Sequence, residues 1–103
     1  MIKVSVMYPK TAESNFDLAY YRDTHMALVR DRLGDACKRT AIESGLAGGA
    51  PGEGPTYIAM GHMDFDSVAD FQTAFGPHAK EILGDIPNFT NVQPTVQISD
   101  VIE

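Results

Sequence analysis

Apolar positions change their spacing several times along the chain, and each change marks an element. Ile2, Val4, Val6 and Tyr8 alternate with Lys3, Ser5 and Met7, the two-residue period of a strand with one face more buried than the other. Pro9 ends that run. From about Phe16 to Leu33 the spacing becomes helical, with Ser14 or Asn15 as N-cap, Asp17 in the first turn and Gly34 where a helix closes. A second strand is expected from Ala36 to about Leu46, followed by a glycine-rich loop. A third, Thr56 to Phe65, places Tyr57, Ala59, Gly61, Met63 and Phe65 on one face and Ile58, Met60, His62 and Asp64 on the other. Apolar groups therefore occur on both of its sides.

Asp66 or Ser67 caps a second helix marked by Val68, Phe71 and Phe75. Gly76-Pro77 interrupts it, and a short helical piece from His78 to Leu83 follows until Gly84 and Pro87. Val96 to Val101 alternates again, and Pro94 puts the start of this last strand at an edge or bulge. The order strand, helix, strand, strand, helix, strand predicts an α+β chain, a ferredoxin-like βαββαβ arrangement forming a single domain over residues 1–103. Both helices then cover one face of an antiparallel sheet. The other face meets water or a partner, and a third strand apolar on both sides argues for the partner; two such sheets packed together make a two-fold homodimer.

Composition narrows the function classes. A chain of 103 residues with 44% hydrophobic and 21% charged residues is an ordinary globular one. The net charge of −6 and the scattered basic residues disfavour nucleic acid as a partner. No apolar run is long enough to cross a bilayer, and the N-terminus alternates in place of forming a signal-peptide core, so no membrane association and a cytoplasmic location are expected. The single Cys37 has no partner for a disulfide or a CxxC motif and reads as a free, partly buried thiol. The glycines between 45 and 54 match neither GxGxxG nor GxxxxGK[ST], Ser44 is not set in GxSxG, and the three histidines lack metal-type spacing. Neither a cofactor nor a metal is expected.

What remains is a histidine on an apolar stripe. At about 100° per residue the first helix carries Leu18, Tyr21, His25, Leu28, Val29 and Arg32 on one side, with Arg32 reaching the rim. An imidazole facing the sheet either lines a ligand cavity, where its near-neutral pKa suits proton transfer, or is a core histidine bonded to a backbone carbonyl. Tyr21, one turn earlier, shares its surroundings. His62 faces either that cavity or the dimer interface, and His78 is a further candidate near the start of a helical piece. Tyr8 is among the aromatic residues that line such a pocket or fill the core.

Three stretches are similar to the EthD family: the opening Met1 to Pro9, the segment Phe16 to Val29 with its Tyr-Tyr-x-x-x-His run, and Phe75-Gly76-Pro77-His78 together with Gly84 to Asn91. The resemblance spans essentially the whole chain. It implies a dimeric α/β barrel, an architecture shared by small monooxygenases, muconolactone isomerases and polyketide cyclases; the family's namesake accompanies a cytochrome-dependent oxygenase system that degrades an ether fuel additive. It also puts His25 first, with Tyr21 beside it. Taken with the reading of the residues, His25 is expected to be catalytic, and Tyr8, Tyr21, His62 and His78 to bind substrate. The expected function is an oxidoreductase of monooxygenase type, or a related cofactor-free enzyme, acting on a small hydrophobic or aromatic metabolite. A non-catalytic accessory protein that binds such a molecule for an oxygenase, and an isomerase or lyase of the same architecture, are the alternatives.

Overall fold

A computed structural model describes residues 1–103. Four strands form one antiparallel sheet in the order β2-β3-β1-β4: β1 (Ile2–Pro9), β2 (Arg39–Ser44), β3 (Tyr57–Phe65) and β4 (Thr95–Asp100). Helices α1 (Leu18–Tyr20) and α2 (Met26–Leu33), joined by a π-helical turn at Tyr21–His25, connect β1 to β2. Helices α3 (Val68–Phe75) and α4 (Ala79–Gly84) connect β3 to β4, with a 3₁₀ turn at Gly76–His78 carrying the chain from one to the other. This is the ferredoxin-like βαββαβ arrangement. No helix is long and apolar enough to cross a membrane.

Alternation on the two central strands decides what each face carries. Val4 and Tyr8 of β1 and Ala59, Gly61, Met63 and Phe65 of β3 are buried beneath the helices. Lys3, Ser5 and Met7 pair with Asp64, His62 and Met60 on the opposite face.

Local signals set the helix ends, with one displacement from expectation. Asp17, not Ser14 or Asn15, caps the first helix: its backbone is extended and its carboxylate accepts from the Tyr20 N–H at 3.0 Å. Asn15 and Asp17 are instead tied to the other end of the chain. The Asn15 N–H donates to Asn91 Oδ1 (2.9 Å), the Thr90 hydroxyl donates to the Asn15 carbonyl (2.7 Å), and the Asp17 N–H donates to the Phe89 carbonyl (2.7 Å). Ser67 caps α3 and Gly34 closes α2 with a positive φ of 59°. The second strand starts at Arg39, because Gly34–Ala36 form a 3₁₀ turn.

Candidate active site

The π turn builds the site. The Met26 N–H donates to the carbonyl of Tyr21, five residues back, so one extra residue enters the helix and slows its rotation. Tyr21, His25 and Met26 consequently all face the sheet, and Val29 and Leu33 continue the buried stripe. A regular helix predicts Leu18 and Leu28 on that stripe; Leu18 is exposed and Leu28 only half-buried. Arg32 sits at the rim as expected, its guanidinium bonding both carboxylate oxygens of Glu81 at 2.7 and 3.1 Å and so tying α2 to α4.

His25 is 4% exposed, and its Nδ1 lies 2.9 Å from Asp85 Oδ2. Asp85 stands just ahead of a 3₁₀ turn at Ile86–Asn88, and its other oxygen accepts from the Tyr20 hydroxyl (2.7 Å) and the Asn88 amide (2.9 Å). Burial pushes the Asp85 carboxyl up, but the bonds from Asn88, Tyr20 and His25 outweigh it and hold it below the ordinary carboxylate range. Asp85 is therefore a carboxylate, an acceptor only, and the proton between the pair belongs to His25 Nδ1. The opposite nitrogen, Nε2, carries the lone pair. Burial lowers the His25 pKa, and the hydrogen bond and charge of Asp85 only partly oppose that, so the ring is neutral at pH 7.

Packing holds this ring in place. The Tyr21 ring stacks on it at 5.7 Å and 18°, and Phe89 lies 4.6 Å away. Tyr8 and Phe16 meet Tyr21 edge-on at 5.7 and 5.0 Å. Gly61 makes room for the Tyr21 phenol: a Cβ at this position would collide with the hydroxyl oxygen.

Tyr8, Tyr21 and His25 line a cavity of about 320 Å³ between helices and sheet, walled otherwise by apolar side chains such as Val6, Met63, Phe71 and Phe75. Its volume falls in the range of small-molecule sites. Neither phenol and no bond to Nε2 of His25 engages another protein group, yet no unpaired side-chain nitrogen or oxygen is sealed away from the cavity or solvent. Burial raises both phenol pKa values, and repulsion between the two ionised forms would raise that of Tyr8 further, so both hydroxyls stay protonated and able to donate. The cavity thus presents two hydroxyl donors and one imidazole acceptor, and no charged side chain lines it.

His62 and His78 are not brought to this cavity. His62 follows Gly61 on β3 and so points to the opposite face, where Nδ1 meets the Ser5 hydroxyl (2.8 Å) and Nε2 meets Glu43 (3.1 Å). His78 is half-buried ahead of α4 and does not line the cavity. Cys37 is a half-buried free thiol whose pKa burial raises. No three His, Cys, Asp or Glu side chains come together closely enough to hold a metal ion. Spacing alone does not mark Asp85 or Gly61 as site residues. An interior strand glycine is the one local signal that pointed to Gly61.

The EthD domain model matches residues 9–93, which contain the π turn, the cavity walls on β3 and Asp85. The chain belongs to the EthD family. Comparison with curated proteins gives no match. Among solved structures, an EthD-like protein from Ralstonia eutropha JMP134 is 49% identical over 99% of this chain and 92% of its own, with a TM-score of 0.95. An ethyl tert-butyl ether D (EthD) family protein from Bacillus halodurans C-125 is 20% identical, covering 99% of both chains at a TM-score of 0.75. A dimeric ferredoxin-like protein from an uncultured marine organism is 14% identical over 100% and 96% of the two chains, at a TM-score of 0.62. The fold is shared across all three.

Proposed function

We propose that this EthD-family chain is a proton-transfer enzyme for a small, uncharged, largely apolar carbonyl or phenolic compound, with His25 as general base. The observation that carries the reading is the His25–Asp85 contact at 2.9 Å, which leaves a neutral imidazole with a free Nε2 beside an apolar cavity. Nε2 takes a proton from a carbon next to a carbonyl, or from a phenol. The phenols of Tyr21 and Tyr8 donate hydrogen bonds to the oxygen on which negative charge develops. Asp85 stabilises the imidazolium formed in that step and keeps Nε2 as the nitrogen that reacts. The same deprotonation opens isomerisation, elimination or cofactor-free oxygenation, since an enolate or phenolate is electron-rich enough to give an electron to dioxygen; the monooxygenase-type oxidoreductase reading is its oxidative branch.

The functional unit in this proposal is a homodimer joined through the open face of the sheet. Met7 and Met60, paired across β1 and β3, supply apolar area there, and a relative of the same fold is described as dimeric. His62, hydrogen-bonded to Ser5 and Glu43, belongs to that face and not to the chemistry.

The test is α-proton exchange. The probe is 2-tetralone in D₂O, a neutral bicyclic ketone with acidic C–H bonds, followed by NMR. Exchange well above the buffer rate that His25→Gln abolishes supports the reading. Exchange equal in the wild type and His25→Gln, or no faster than buffer, rejects it.

A further inference from the structure

The cavity beside His25 shares a wall with a second basin that proton transfer leaves unused. Leu83, Ile86, Pro94 and Val96 line both chambers, and the outer one encloses about 460 Å³. The shared wall is apolar and open: Leu83 is 51% and Val96 54% exposed, although Val96 lies on the helix side of β4, paired with Val6 of the inner chamber. Exposed apolar side chains at the junction of two cavities are what an elongated ligand passing between them would cover.

The outer basin differs in chemistry. Thr90, Asn91 and Gln93 replace the apolar walls of the inner one. The Thr90 hydroxyl is committed to the Asn15 carbonyl, and the Asn91 amide to the Asn15 N–H and the Glu13 carbonyl. Gln93 makes no such bond, so its amide is free to donate or accept. No Lys, Arg, Asp or Glu lines either chamber, and a charged ligand would lose its hydration with no counter-charge to replace it.

We infer that the site is two-chambered and takes an uncharged, elongated amphiphile: an apolar ring bearing the reacting carbonyl or hydroxyl against His25, and a neutral polar tail, an alcohol, ether or amide, in the outer basin against Gln93. Leu83 and Val96 set the width of the passage and so select for ligand shape. This rests on the assignment of the inner cavity to His25 chemistry.

The experiment compares 2-tetralone with 6-(2-hydroxyethoxy)-2-tetralone, the same ketone carrying a neutral polar tail, by isothermal titration with the full-length protein. The tailed probe is expected to bind about fivefold tighter, the effect of one added hydrogen bond and some apolar contact. In Leu83→Trp and in Val96→Trp, with circular dichroism confirming the fold, that ratio is expected to fall to about one as the passage is filled. Equal affinity of the two probes for the wild type, or an unchanged ratio in both tryptophan variants, overturns the two-chamber site. If neither probe binds and 2-tetralone undergoes no exchange, the reading of the inner cavity fails with it; exchange of 2-tetralone without a tail advantage rejects the outer chamber alone.

Discussion

His25 and Asp85 lie 60 positions apart in sequence and 2.9 Å apart in space, and this contact decides which imidazole nitrogen is available for chemistry. A carboxylate bound at Nδ1 leaves Nε2 unprotonated, and the π turn aims the ring into the cavity. Every element around the pair contributes to holding it. Tyr20 and Asn88 fix the carboxylate, while Tyr21 and Phe89 clamp the imidazole.

Replacing either partner should separate positioning from chemistry. His25→Gln is expected to slow 2-tetralone exchange by about 10²- to 10⁴-fold, the usual contribution of a general base. Asp85→Asn should slow it less, by roughly tenfold or more, and should shift the acid limb of the pH–rate profile to lower pH. Asp85 raises the His25 pKa, so its removal lets burial depress that pKa further. A limb that moves to higher pH would contradict the assignment.

Stability should depend on pH through the same ring. The folded-state pKa of His25 lies below its ordinary value, so the unfolded chain binds the proton more readily. Its contribution is complete above about pH 6.5 and declines as pH falls towards the folded pKa. Urea denaturation followed across this range should show less stability at lower pH, with a shallower slope in His25→Gln.

Gly61→Ala places a methyl group against the Tyr21 hydroxyl. We expect a loss of about 1–3 kcal/mol from overpacking. Removing the hydroxyl relieves the collision, so the same substitution should cost much less in a Tyr21→Phe background. Denaturant melts of the double-mutant cycle measure the coupling, and equal costs in the two backgrounds would show that the hydroxyl is not what Gly61 accommodates.

The open face of the sheet supplies an independent prediction. Met60→Asp puts a carboxylate opposite Glu43 on β2 and beside Met7 on β1, at the centre of the proposed interface. Light scattering should show a shift from dimer towards monomer, whereas an unchanged mass would place the contact elsewhere.

Local patterns in the sequence were enough for β1 and β3, for the Gly34 terminus and for narrowing the α3 cap to Asp66 or Ser67, because alternation and capping act over a few residues. They were not enough for the phase of the first helix. A single π turn moved Met26 and Leu33 into the core and left Leu18 outside, and no residue type between Tyr21 and His25 announces it. His25, Tyr21 and Tyr8 were legible as buried, chemistry-capable groups on apolar faces. The role of Asp85 was not, since its partner is supplied by a different helix–strand unit and only the tertiary fold brings them together. His62 shows the limit of parity. Its place on β3 was correct, but deciding which face carries the cavity required knowing where the helices pack.

The most direct measurement is a ¹⁵N NMR titration of the His25 imidazole, with and without 2-tetralone. The account predicts the Nδ1–H tautomer at pH 7, protonation with a pKa below 6.5, and a perturbed Nε2 resonance when the ketone is added. An Nε2–H tautomer, a charged ring at pH 7, or an Nε2 signal indifferent to the ligand would contradict it.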